Sequence, residues 1–111
     1  TMLEVEIVNS GSDFIEIRTN HKGIQLKEGA YLEVTLLLHE GVRGDREYSR
    51  DTFDPPFQSI VLQPLPEKSM FKVSVVLKNG DKQFKASIYT FTKSKISEMN
   101  DDAEFFEYGR Q

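Results

Sequence analysis

The chain of 111 residues has the size and composition of a single globular domain, with 38% hydrophobic and 29% charged residues and no cysteine. The absence of cysteine excludes disulfide bridges, thiolate nucleophiles and cysteine-ligated zinc. The net charge of −4 arises entirely from residues 98–111, because residues 1–97 carry 13 acidic and 13 basic side chains. An acidic segment therefore follows an electrically neutral body.

The beginning of the chain indicates a cellular compartment. Residues 1–7 contain no basic segment followed by an apolar one, so no secretory signal peptide is predicted. With Met2 as the natural start, we expect a cytoplasmic protein. No run approaches the roughly 20 apolar residues that span a bilayer, so no membrane contact is expected.

Apolar and polar residues alternate with a period of two along most of the chain, which predicts β-strands. In the first half, strands are expected at 3–8, 15–18, 24–26 and 31–39. Clusters of Gly, Asn and Ser separate these runs, as turn-forming residues separate strands. The apolar positions expected in the core are Ile7, Leu32, Val34, Leu36 and Leu38 in this half, together with Val73, Val75 and Phe84 further along the chain.

Residues 40–56 interrupt the alternation and are predicted to form a long surface loop. The segment is polar and charged, and it closes on Asp54-Pro55-Pro56. A strand rarely runs through two consecutive prolines, and loops of this length in small domains are usually functional or mobile. A further strand is predicted at 57–63.

The next segment is predicted to be a long hairpin with Asn79-Gly80 as its turn. This dipeptide is preferred in two-residue type I′ turns, and alternating residues flank it on both sides. The resulting register places three apolar pairs on one face: Phe71 with Ile88, Val73 with Ala86, and Val75 with Phe84. The opposite face carries Lys72, Lys78 and Lys85, with Tyr89.

About seven short strands predict an all-β fold, an antiparallel two-sheet sandwich of immunoglobulin-like architecture, with a small barrel as the alternative. We expect one β domain over residues 1–93. Residues 94–111 are expected to form an acidic, aromatic tail or a short C-terminal helix.

No motif predicts catalysis, a cofactor or a metal site. His21 and His39 are the two histidines, and no Ser-His-Asp arrangement surrounds either of them. Asp45, Asp51 and Asp54 match no calcium-loop spacing, and the neighbouring arginines oppose a cation. The adhesion tripeptide Arg43-Gly44-Asp45 arises easily by chance in a charged loop. We therefore expect no enzyme, no cofactor and no bound metal.

The function expected from the sequence is that of a non-catalytic protein-interaction module, which is an adaptor, an assembly subunit or a small binding inhibitor. Arginine and aromatic residues are enriched at binding hot spots, and residues 40–56 contain both. The expected contact residues are Arg43, Arg46, Tyr48, Arg50 and Phe53, together with Phe105 and Phe106 of the tail. Free sheet edges also allow strand pairing with a partner or the formation of a homo-oligomer.

Two alternative functions remain. Lysines beside an aromatic ring on the hairpin are typical of single-stranded nucleic-acid binders, although an isoelectric point of about 5.2 argues against this function. The third hypothesis is a carbohydrate-binding domain. It is weakened by the scattered positions of Tyr31, Tyr48 and Tyr89 and by the absence of tryptophan.

Overall fold

A computed structural model describes residues 3–66 and 70–91, which form two antiparallel β-sheets. The strands are β1 (Glu4–Ser10), β2 (Ile15–Asn20), β3 (Tyr31–His39), β4 (Asp45–Phe53), β5 (Ile60–Leu62), β6 (Met70–Asn79) and β7 (Lys82–Phe91). A short 3₁₀ helix, Gly41–Arg43, precedes β4. The predicted seven-stranded, two-sheet sandwich is confirmed. The tail expected at 94–111 lies outside the described residues.

The strand order is that of an immunoglobulin-like sandwich with one strand exchanged between the sheets. One sheet has the order β1-β2-β5, and the other has the order β4-β3-β6-β7. In the seven-stranded constant type, the fourth strand lies beside the fifth. Here it pairs with the third strand, so β4 and β5 become edge strands of different sheets. In the described ranges, no helix is long and apolar enough to cross a membrane.

The core consists of alternate side chains from the two facing sheets. Leu32 and Val34 of β3 and Phe71, Val73 and Val75 of β6 are at most 2% exposed. They pack in one cluster with Ile15 and Ile17 of β2. Most of the expected core positions are therefore correct. Three of them are only half-buried at the margin of this cluster: Ile7, Leu38 and Phe84.

The hairpin of β6 and β7 is present, but its predicted register is wrong by two residues. The loop is Gly80-Asp81, and Asn79 pairs with Lys82 as the last residue of β6. The apolar pairs are consequently Val73 with Ile88, Val75 with Ala86, and Leu77 with Phe84. Because strands have a period of two, a shift of two leaves every side chain on its predicted face.

The buried side chain of Asn79 explains this register. It is 4% exposed, its Oδ1 accepts a hydrogen bond from the Lys27 backbone N–H at 2.8 Å, and its Nδ2 donates to the Gln25 carbonyl at 3.0 Å. These bonds hold Asn79 at the strand end. Gly80 then takes the first loop position with φ 67°, where tight hairpin turns require positive φ.

Two predicted strands also differ from the structure. Residues 24–26 form no strand, since their segment is bound through the Asn79 side chain rather than through a neighbouring strand. The strand predicted at 57–63 is limited to Ile60–Leu62.

The long loop predicted at 40–56 is wrong, because Asp45–Phe53 forms β4. All of its side chains except Ser49 and Phe53 are exposed. An edge strand with little of either face buried tolerates charge on both faces. The alternation that reveals other strands is therefore absent from β4.

Candidate functional site

The structure separates the residues that the sequence marked for partner binding. Arg43 ends the 3₁₀ helix, and Arg46, Tyr48, Arg50 and Phe53 lie along β4. Arg46, Tyr48 and Arg50 are exposed, whereas Phe53 is half-buried against the core. Phe105 and Phe106 lie outside the described residues.

A β-bulge sets the direction of Tyr48. Leu36 pairs with Ser49 and Leu37 pairs with Glu47, which leaves Tyr48 without a residue opposite it. A bulge bends its strand and re-aims the extra side chain. Tyr48 and Ser49 consequently line the same cavity at the open side of the sandwich.

This cavity, of about 260 Å³, lies between the edges of the two sheets, and we call it the β4–β5 seam. Its apolar lining comes from Leu36, Tyr48 and Phe53 on one sheet and from Val61 and Leu62 on the other. Tyr48 is 42% exposed and Val61 is 53% exposed. The seam is thus an accessible surface of mixed character, because Ser49, Asp51 and Gln63 add polar groups to its apolar side chains.

The arginines of β4 are held by carboxylates of the same chain. Arg50 donates to Glu47 Oε1 through Nη2 at 2.7 Å and to Glu33 Oε1 through Nη1 at 3.1 Å. The Glu47 hydrogen bond, more than any other contact, raises the pKa of Arg50 above its ordinary value. Arg46 Nε donates to Glu40 Oε1 at 3.1 Å. Of the predicted contact residues on β4, the structure thus brings together Tyr48 and Phe53, whereas Arg46 and Arg50 bind carboxylates outside the seam.

The structure also describes two motifs noted in the sequence. The carboxylate of Asp45, in the Arg43-Gly44-Asp45 tripeptide, forms a 2.9 Å hydrogen bond with Nδ1 of His39. Across residues 3–66 and 70–91, no group of three or more histidine or acidic side chains is arranged to hold a metal ion. The aspartates at positions 45, 51 and 54 therefore do not form such a group.

Val61 is an exposed seam residue that the sequence did not single out. It alternates with the buried Ile60 and Leu62, so its outward direction could be read from the pattern. Its importance depends on β4 lying beside it across the seam, and this is a tertiary relationship that a local pattern does not encode.

A second surface lies on the outer face of the four-stranded sheet. Lys72 pairs with Tyr89, and its Nζ lies 5.8 Å from the centre of the Tyr89 ring. The His39 ring contacts the same tyrosine edge-on, with 5.7 Å between the ring centres. Lys85 is exposed on this face. The basic and aromatic residues predicted to share a face therefore do so.

A wider and more open concave surface is lined by Arg18, His21, Pro55 and Phe57. The His21 ring packs edge-on against Phe57 at 6.0 Å, and Thr19 Oγ1 donates to the Phe57 carbonyl at 3.4 Å. In the described part of the chain, this lining includes no carboxylate. The contacts account for His21 as a packing residue.

The sequence matches no protein-family model, and no curated protein is significantly similar to it. The geometry of the seam and of the outer face of the four-stranded sheet is therefore the basis for a functional proposal.

Proposed function

We propose that the domain is a non-catalytic protein-interaction module that binds a partner protein at the β4–β5 seam. The observation that supports this proposal best is the direction of Tyr48, which a bulge turns toward an accessible cavity lined by both apolar and polar side chains. Tyrosine is enriched among hot-spot residues because its ring offers a large apolar area and its hydroxyl group a hydrogen bond. An adaptor, an assembly subunit and a small inhibitor all fit this description.

The exposed part of Tyr48 is large enough to anchor a partner. With 42% of Tyr48 exposed and about 200 Å² in a tyrosine, roughly 80 Å² is available for a partner to bury. At about 25 cal/mol per Å², this burial contributes roughly 2 kcal/mol. Removal of the ring should therefore weaken binding about 30-fold.

Strand addition at β4 is a poorer mode of binding. Five of its nine residues are charged, namely Asp45, Arg46, Glu47, Arg50 and Asp51, and the bulge interrupts its regular pairing. Both features oppose edge-to-edge pairing. Side-chain contacts within the seam are therefore the favoured mode.

The proposal is tested by affinity capture from a lysate of the cells that naturally make the protein. Tyr48→Ala should weaken capture of the main partner by about 30-fold. Tyr89→Ala is the matched control, because Tyr89 is similarly exposed, at 48%, but lies on another surface. Capture that is unaffected by Tyr48→Ala combined with Val61→Ser would defeat the proposal.

Single-stranded nucleic acid is a second candidate ligand, supported by the basic outer face around Lys72, Lys85 and Tyr89. If it binds there, affinity for a labelled oligothymidylate should fall steeply with salt, because each neutralised phosphate releases counterions. Lys72→Glu with Lys85→Glu should abolish this binding, and deletion of the acidic residues 98–111 should strengthen it.

A further inference from the structure

The edge strands of the sandwich differ in how they are protected against pairing with another chain. Charge and a bulge protect β4, and β5 has only three residues. Strand β1 has alternating glutamates and a register break between Ile7 and Asn9. In contrast, β7 is ten residues long and pairs regularly with β6. Its charged residues, Lys82 and Lys85, lie near the turn, and none follows from Ala86 to Phe91. Natural edge strands of this length usually carry a protective device.

The backbone groups at the free edge of β7 can be assigned from the hairpin. A two-residue loop closes on a hydrogen-bonded pair, which here is Asn79 with Lys82. Hydrogen-bonded and open pairs alternate from that point. The N–H and C=O groups of Lys85, Ser87, Tyr89 and Phe91 therefore point away from β6. Among the described strands, none pairs with this side of β7, although β1 of the other sheet lies close to β7.

The same edge is basic. Two lysines lie on β7, namely Lys82 and Lys85, and Lys72 lies beside them on β6. Lys85 is also one of the residues whose backbone groups point away from β6. The acidic residue of the described hairpin, Asp81, lies 3.7 Å from Lys27 in an ion pair. Strands β6 and β7 contain no acidic residue. Acidic side chains of an added strand could therefore pair with these lysines.

We propose that the free edge of β7 binds an extended acidic segment of a partner protein as an added strand. The alternating N–H and C=O groups of Ser87 and Tyr89 complement a peptide backbone. Glutamate or aspartate side chains at alternate positions of the added strand face Lys72 and Lys85. This surface lies at the opposite end of the four-stranded sheet from the β4–β5 seam and does not depend on the seam.

Charge favours this occupant over a second copy of the chain. Two-fold pairing of β7 with β7 would bring Lys72 and Lys85 of both copies onto one continuous face, where like charges repel. A nucleic acid would satisfy the lysines, but its backbone lacks the alternating donors and acceptors that the edge presents.

The test uses the full chain and two synthetic ten-residue peptides, one alternating glutamate with valine and the other alternating lysine with valine. Amide chemical shifts and hydrogen exchange are measured by NMR at low salt. The glutamate peptide should shift and protect the amides of Lys85, Ser87, Tyr89 and Phe91, and the lysine peptide should leave them unchanged. Raising the salt concentration should weaken binding without moving the site.

Two sets of variants distinguish strand addition from simple charge attraction. Ser87→Pro removes one outward N–H and should weaken binding about tenfold or more, whereas Ser87→Ala keeps the N–H and should bind like the original protein. Lys72→Glu with Lys85→Glu should reverse the preference toward the lysine peptide. This reversal remains a test if Ser87→Pro does not fold.

Four results would overturn the proposal. The first is no binding of the glutamate peptide at millimolar concentration, and the second is binding that maps to β4. The third is slow hydrogen exchange of the outward-pointing β7 amides in the absence of peptide, which would show that the edge is already occupied. If the occupant is a second copy of the chain, dilution should restore fast exchange. If the occupant is the acidic tail, deletion of residues 98–111 should restore it. The fourth is displacement of the peptide by an oligothymidylate that shifts the same amides more strongly. Failure at β7 leaves the Tyr48 experiment unaffected, so the two proposals fail separately.

Discussion

Replacement of Asn79 by alanine removes a buried link between the end of β6 and the segment that precedes β3. The link consists of two hydrogen bonds of the Asn79 side chain. Its Oδ1 accepts from the Lys27 N–H at 2.8 Å, and its Nδ2 donates to the Gln25 carbonyl at 3.0 Å. A buried polar group left without its partner costs about 1–3 kcal/mol. Because Gln25 and Lys27 are exposed residues, water replaces part of what is lost. We expect a total loss of about 2–4 kcal/mol.

Chemical denaturation measures this loss, and hydrogen exchange locates it. In Asn79→Ala, the Lys27 amide should exchange faster than in the original protein. Asn20→Ala is the matched control, because Asn20 is exposed and its side chain accepts one local bond from Lys22 N–H. Its substitution should cost less than about 1 kcal/mol. If Asn79→Ala costs no more than this control and leaves Lys27 exchange unchanged, the hydrogen-bond account of the register is incorrect.

Four further substitutions test the fold by denaturation. Gly80→Val should destabilise by about 1–3 kcal/mol, because φ 67° strains a β-branched residue; an unchanged midpoint would place the turn elsewhere. Phe71→Ala should lower the free energy of unfolding by about 3–5 kcal/mol, because Phe71 is 0% exposed. Phe84→Ala should lower it by less, because Phe84 is half-buried. Equal losses from the two substitutions would contradict the burial pattern. Tyr48→Ala should cost less than about 1 kcal/mol, because surface substitutions rarely cost more; a larger loss would assign Tyr48 a structural role.

Local pattern is sufficient to predict most of the sandwich. The bounds of β3 follow from its alternating leucines and valine, because this strand is buried on one face by the opposite sheet. The faces of β6 and β7 also follow from alternation. The exact register does not, because it depends on Asn79 reaching the 25–27 segment more than fifty residues earlier in the chain.

The seam is less accessible to prediction than the strands. Tyr48 and Phe53 were recognisable as hot-spot residue types, but their convergence depends on a bulge and on β5 across the gap. Arg46 and Arg50 had the same sequence signal and instead bind carboxylates of their own chain. Residue type therefore identifies candidates for binding, whereas three-dimensional neighbours decide which of them are available.

The central claim, partner binding at the β4–β5 seam, is tested most directly by photo-crosslinking in the cells that make the protein. A benzophenone amino acid is placed at position 48 in one variant and at position 89 in another, since both tyrosines are exposed. We predict one discrete crosslinked protein from position 48, which is lost when Val61→Ser is added, and none of that species from position 89. No adduct at position 48, or the same adduct at both positions, would contradict the claim.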